Sequence, residues 1–278
     1  LVLDYGLRRP LGWFMTTAER EGWDALVLDL FTWNERRSGL APTFFFAFGL
    51  QPSVGVTFWS NDDLGEGHQV RLSAAFGGVD FQTGAGAYRI ESPDGRLRIG
   101  LRAGGSRRPD RVFSGRGWNA DSVQYRFREA RYRFSLQGRI RWWRASELEL
   151  EAGVDGRRFD ADGYAAFAPA QDNRSLADAM QNDALPRPPG FDGYVAYRQR
   201  AQVALDSRQP APAPGHGARI EAEAELAFDL GQPVERRWLR WGGAAGAFAD
   251  VGHRRIFGLW LLARFADPLG SAPVPFTE

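Results

Sequence analysis

The sequence has no cysteine, and none of its 35 basic residues is a lysine. The first absence excludes disulfides, thiolate metal sites and a cysteine nucleophile. The second leaves arginine to carry the positive side-chain charge, a residue suited to fixed carboxylate pairing in a crowded interior. Net charge is nearly absent too, at +1, which removes the electrostatic argument for a nucleic-acid partner. No run of about eighteen apolar residues occurs, so no membrane-spanning helix is encoded. Mean hydropathy is only −0.39. That does not argue against a membrane barrel, whose lipid face is diluted twofold by its inner face. What the chain does have is 33 glycines and 13% aromatics in 278 residues, the composition of strands joined by tight turns.

Residues 1–38 read as a connector. Leu11, Phe14, Met15 and Ala18 stand at helical spacing between Pro10 and Gly22, which predicts a short amphipathic helix. The sequence opens at Leu1 without a signal-peptide pattern, so the natural chain is expected to extend further at that end. From about residue 39 a period of two takes over. Residues 217–229 set Ile220, Ala222, Ala224, Leu226 and Phe228 against Arg219, Glu221, Glu223 and Glu225, a strand with one apolar and one charged face. The same alternation predicts strands through "HQVRLSAAFG", through "VDFQTGAGAYRI" (with Val79, Phe81, Thr83, Ala85 and Ala87 on one face), and onward. Residues 121–143 read as one very long strand. Tyr125 and Phe127 fall in one phase and Tyr132, Phe134, Leu136, Ile140 and Trp142 in the other, which predicts a β-bulge near Arg128–Glu129. Residues 160–191 read as a long loop, with Ser175 capping a short helix. Eleven strands are predicted in all.

A soluble sandwich would turn the apolar faces inward; a membrane barrel turns them outward. Four features favour the barrel. The strands are long enough to cross a bilayer at a tilt. Short and long connections alternate. The polar faces carry Arg98, Arg102, Arg139, Arg141, Glu149, Glu151, Arg198, Arg200, Glu221, Glu223 and Glu225, with signs that differ between neighbouring strands, as if to pair across an inner wall. Trp59, Trp142, Trp143, Trp238, Trp241 and Phe265 lie near strand ends, as in interfacial girdles. The expected fold is an all-β, transmembrane, antiparallel up-and-down barrel over residues 39–278.

The stretch "DSRQPAPAPGHGARIEAE" resembles a periplasmic turn of BamA/TamA-type barrels of the bacterial surface antigen family, with Asp206, Arg208, Pro214 and Gly217 at the matching places. "LAPTFFFAFGLQPSVGVTFWSND" and "FADPLGSAPVPFTE" also look like segments of such barrels. The resemblance implies a barrel of about sixteen strands, of which about eleven are present, so that the chain is incomplete at its C-terminal end. The family's Arg-Gly-Phe/Tyr loop motif is then expected beyond Glu278. It also implies residence in the outer membrane of a Gram-negative bacterium, contact with lipid, client polypeptides and periplasmic accessory proteins, and insertion or export through a lateral seam. That seam strand would carry Pro42, Phe44, Phe46 and Phe48. Two other readings stay open: a passive channel, and an anchor for a preceding domain such as a hydrolase.

Catalytic and cofactor chemistry finds no support. His68, His216 and His253 fall in turns without ligand or triad spacing. "DADG" at 160–163 begins like a calcium loop but fails at Tyr164 and Gln171. "GAGA" at 84–87 lacks a third glycine and a following helix. "GGAAG" at 242–246 signals small side chains, a bend or room for a plug. No enzyme activity, metal or cofactor is expected.

Overall fold

The computed structural model describes residues 29–45, 51–113, 125–160, 174–182, 185–208, 215–252 and 255–278. The predicted helix around residues 11–18 lies outside them.

After a short β1 (Thr32–Trp33) the chain runs through β2 (Ser38–Phe45), β3 (Ser53–Asn61), β4 (His68–Gly78), β5 (Phe81–Glu91), β6 (Leu97–Phe113), β7 (Tyr125–Trp143) and β8 (Ser146–Asp160). A two-residue β9 (Arg174–Ser175) and helix α1 (Leu176–Gln181) interrupt the series. β10 (Tyr194–Asp206), β11 (Gly217–Asp229), β12 (Arg237–Asp250) and β13 (Ile256–Pro268) complete it. Each strand pairs antiparallel with its neighbour in sequence, except that β8 pairs β10 and β9 adds to β7 in parallel. Seven strands from β2 to β8 and four from β10 to β13 carry the sheet, eleven in the order predicted. Thr32 and Trp33 pair with Gly39 and Ser38, so the sheet begins within the segment read as connector.

Register decides which residues share a face, because directly opposed residues project the same way. One row runs Trp59, Arg71, Ala87, Arg102, Ser135, Gly153, Arg198, Ala227, Trp238 from β3 to β12. The row one residue over runs Val70, Tyr88, Leu101, Leu136, Ala152, Gln199, Leu226, Leu239. The charged face is the enclosed one: Asp155 is 0% and Arg198 6% exposed, against 50% for Ile99 and 53% for Leu136. The sheet therefore curls with its charges inward and its apolar side chains outward.

Three expectations need correction. The face of β5 that carries Phe81, Thr83, Ala85 and Ala87 is the inner one, since Ala87 stands between Arg71 and Arg102. Tyr88 and Ile90 face outward instead. With Gly84 and Gly86 on its other face, that strand has little contrast between faces. Second, β7 keeps one phase from Tyr125 to Arg141, its one irregularity coming at Arg141–Trp143 against β8. Phe127, Glu129, Arg131 and Arg133 all face inward, and the extra residue sits on β6, where pairing passes from Arg108↔Glu129 to Arg111↔Phe127. The apparent slip in the sequence marks a change of inner-face chemistry, from charged to aromatic. Third, Trp238 and Trp59 face inward, and Trp238 is 0% exposed, whereas Trp142, Trp241 and Phe265 do stand exposed on the outer face.

The hydrophobic core lies at one end of the inner face, on the side of the long connections. Tyr125, Phe127, Leu176, Ala179 and Phe191 form one buried cluster, with Phe113, Phe159 and Phe276 against it. Tyr194, Ala196, Ala227, Trp238 and Val274 form a second. Helix α1 docks here. Ser175 caps it by accepting a hydrogen bond from the Ala177 amide at 3.1 Å, and Leu176 and Ala179 are its buried residues.

Candidate functional site

The inner wall is a lattice of arginine–carboxylate pairs. Arg98 meets Glu91 at 2.6 Å, and Arg139 lies between Glu91 at 3.9 Å and Glu147 at 3.5 Å. Arg141 approaches Glu147 at 3.8 Å, Arg133 meets Glu151 at 2.7 Å, and Arg200 meets Glu223 at 2.9 Å. Glu221 pairs with Arg219, and Glu223 also takes Arg264 at 2.6 Å. Glu225 joins Arg198 and Arg240 at 3.1 and 3.3 Å. Several of these bonds skip a strand: Arg139 is on β7 and Glu91 on β5, and Arg264 is on β13 and Glu223 on β11. Long guanidinium arms on a concave wall reach this far and lock the curvature as well as neighbouring strands. Arg102 and Glu149 also face inward, but among the described residues neither has an oppositely charged group within 4.0 Å. Both line a cavity of about 400 Å³ on the inner wall.

The turn after β10 is a clasp. Asp206 accepts from the Arg208 amide at 3.0 Å, from Arg208 Nη2 at 2.6 Å and from Arg219 Nη1 at 3.1 Å, while its own amide donates to Ser146 Oγ at 2.8 Å. Arg208 then lies over the ring of Phe248, 4.2 Å from its centroid. β8, β10, β11 and β12 are tied at one point. Gly217 has φ +156°, and a Cβ there would stand 2.8 Å from Arg208 Cγ, so the clasp requires glycine. Pro214 lies outside the described residues. At the same end of the sheet, Asp63 accepts from Ser38 and, at 2.6 Å, from Ser60 Oγ. Those two bonds, Ser38 first, hold its carboxyl below the usual value.

The β2 edge is open. Beyond Gly39, no strand among the described residues pairs with its outer side. Pro42 and Phe44 share the outer face, and Phe44 is 78% exposed. Phe46 and Phe48 lie outside the described residues. At the other edge, β13 pairs among the described residues with β12 alone, and its side chains are exposed on both faces.

Sequence reasoning missed the segment after β13. Residues 269–278 fold back along the inner face, where Phe276 packs on Phe159 and Phe127 with centroids 5.0 and 5.5 Å away. The Glu278 carboxylate is fully enclosed by Arg198 at 2.5 Å, Arg157 at 3.2 Å, Arg240 at 3.2 Å and the Tyr194 hydroxyl at 2.6 Å. Burial raises this carboxyl, but the guanidiniums of Arg198 and Arg157 outweigh it and hold the group below its ordinary value. The available signal was the aromatic residues Phe127, Phe159, Tyr194 and Trp238, which stand in the charged phase of their strands and so demand an apolar partner inside.

Of the histidines, His68 shares a 2.6 Å hydrogen bond with Tyr88, and His216 accepts from the Asp250 amide at 3.3 Å. His253 and most of the 160–171 calcium-like stretch lie outside the described residues. The small residues of "GGAAG" make room for neighbours: a Cβ on Gly246 would stand 2.0 Å from the Trp260 ring, and one on Gly242 3.0 Å from Arg264 Cα.

No protein-family model matches the chain, and no curated protein matches it either. Among solved structures it is similar to BamA from Haemophilus ducreyi, in a form lacking POTRA domains 1–3, with a TM-score of 0.57 and 12% identity. The match covers 87% of this chain but 43% of that one, so this chain spans less than half the length of its structural neighbour. At that identity the likeness is one of fold: a nearly all-β, up-and-down antiparallel sheet that resembles the BamA barrel.

Proposed function

We propose that the chain forms the larger part of a bacterial outer-membrane barrel that helps polypeptides into or across that membrane, without catalytic chemistry of its own. The observation that carries this reading is the inverted distribution of faces. Ile99, Leu136, Leu150 and Ile220 stand half exposed or more while Asp155, Arg198 and Asp206 are buried. Water penalises that arrangement over so large a surface; the hydrocarbon of a bilayer favours it. The resemblance to BamA/TamA-type barrels supports assembly over passive conduction. On this reading residues 39–278 form the barrel domain, with 269–278 folded back inside the wall, and residues 1–38 lead into it. Periplasmic accessory proteins meet the end with the short turns. The β2 edge is the seam, where an incoming strand adds by backbone pairing. Pro42 withholds one amide donor there and weakens any permanent partner.

The test uses the cysteine-free background. Single cysteines replace Ile99 and Arg98, and each is labelled with a polarity-sensitive fluorophore in liposomes. Position 99 should report lipid and position 98 water; the opposite pattern, or water at both, would sink the membrane reading. A photo-crosslinker at Phe44 then reads the seam. Capture of newly made outer-membrane strands, absent with the same probe at Phe134 on β7, is the expected result. Equal capture at both positions would overturn the seam.

A further inference from the structure

The inner-wall charges balance strand by strand except in one place. β7 is rich in arginine and faces the glutamates of β8; β10 carries Arg198 and Arg200 and faces the glutamates of β11. On β4 to β6 that complement is reduced to Glu91, opposite Arg98. Arg71 stands between Trp59 and Ala87, Arg102 between Ala87 and Ser135, and Arg89 between Gln69 and Gly100. Every cross-strand neighbour of these three arginines is uncharged, all three are exposed on the inner face, and none has a carboxylate within 4.0 Å among the described residues. Arg98 and Arg139 adjoin them and share Glu91. Arg139 Nη2, buried, makes no hydrogen bond. The five arginines surround the inner-wall cavity of about 400 Å³, whose floor is opened by Ala87 and Gly100 and whose rim includes Trp59.

Five guanidiniums here face two carboxylates, Glu91 and Glu149; such an excess of cations costs free energy through mutual repulsion, and a bound anion relieves it. Guanidinium forks suit planar carboxylates, singly or in pairs. We infer that this cavity is a binding site for an acidic polypeptide segment, one that presents two or more aspartate or glutamate side chains to Arg71, Arg89 and Arg102. The anion site follows from the register alone; its assignment to a peptide rests on the reading above that polypeptides meet this wall. Spread over β4 to β6, the three arginines suit carboxylates spaced along a chain better than one compact ion.

The probe is a fluorescently labelled hexaglutamate peptide, titrated by anisotropy against the full chain in a non-ionic detergent. Saturable binding that weakens with salt is expected. The triple variant Arg71→Gln, Arg89→Gln, Arg102→Gln should lose about tenfold or more in affinity, as expected for three partly exposed ion pairs. A control triple, Arg36→Gln, Arg37→Gln, Arg96→Gln, removes the same charge from exposed turns and should change little. Absence of saturable binding, or equal losses in both variants, overturns the site. Inorganic phosphate that competes as well as the peptide at equal concentration overturns the peptide assignment. Phenylglyoxal modification of the unmutated protein, read by mass spectrometry, needs no variant to fold: the peptide should protect these three arginines, and unchanged labelling counts against the site. Because these assays read the inner wall in detergent, they can fail while the lipid-face labelling succeeds, and the reverse.

Discussion

Glu278 shows what one side chain does in this wall. Its carboxylate neutralises a position where Arg198, Arg157 and Arg240 converge, and its removal leaves buried guanidiniums under-compensated. Glu278→Gln should destabilise the docked segment by about 3 kcal/mol, the scale for breaking one side of a buried pair. The carboxyl is held below its ordinary value of 4.5. Its contribution is therefore complete above about pH 4.5 and is lost as pH falls through the lower, folded-state value. Protease cleavage within residues 269–278 should rise in that acid window, and the variant should be cleaved already at neutral pH. A variant that keeps wild-type protection would refute the lock. Packing sets a second residue-scale limit: a Cβ on Gly156 would stand 1.9 Å from Tyr132 Cζ on the outer face. Gly156→Val should cost about 1–3 kcal/mol through displacement of that ring, read as a lower unfolding temperature in detergent.

At the scale of elements, β7 does two jobs along one inner face. Its Arg131 to Arg141 half pairs with carboxylates, and its Tyr125 to Glu129 end carries Phe127 into the cluster that receives α1, Phe191 and Phe276. The bulge on β6 at Pro109–Asp110 accompanies this change, and Asp110, buried, accepts from Arg108 at 2.9 Å and from the Gln51 amide at 3.1 Å. Phe127→Ala should cost about 3 kcal/mol and free the 176–193 segment for proteolysis while leaving the strands intact by circular dichroism. Loss of strand signal instead would mean that the cluster holds the whole sheet rather than its cover.

For the whole molecule, the outer face decides its behaviour. Exposed apolar side chains run from Phe44 on β2 to Phe257 and Leu261 on β13. The chain should be monodisperse only above a detergent's micelle concentration, and should associate below it. A monomer in plain buffer, measured by light scattering, would contradict the outward apolar face. The inner lattice makes the complementary prediction. Its bridges are largely enclosed, so moderate salt should affect stability less than it affects peptide binding at the exposed Arg71, Arg89 and Arg102.

The period-two alternation was enough to give the all-β class, the eleven strands and the partition of Arg98, Glu149, Arg198 and Glu223 from Ile99, Leu150, Val203 and Ala224, because a strand's side-chain period is fixed by its backbone; the loop helix was legible separately, from the Ser175 cap. It could not say that Phe127 and Trp238 point inward with the charges. In one strand an aromatic in the polar phase looks like a slip or a girdle residue, and only the partner's register and a returning segment reveal what covers it. Nor could it pair Arg198 with Glu278, or leave Arg71, Arg89 and Arg102 without a carboxylate partner, Arg89 donating only to the Gln69 amide oxygen. Those outcomes depend on which residues of neighbouring strands stand opposite one another, and cross-strand register is a property of the assembled sheet.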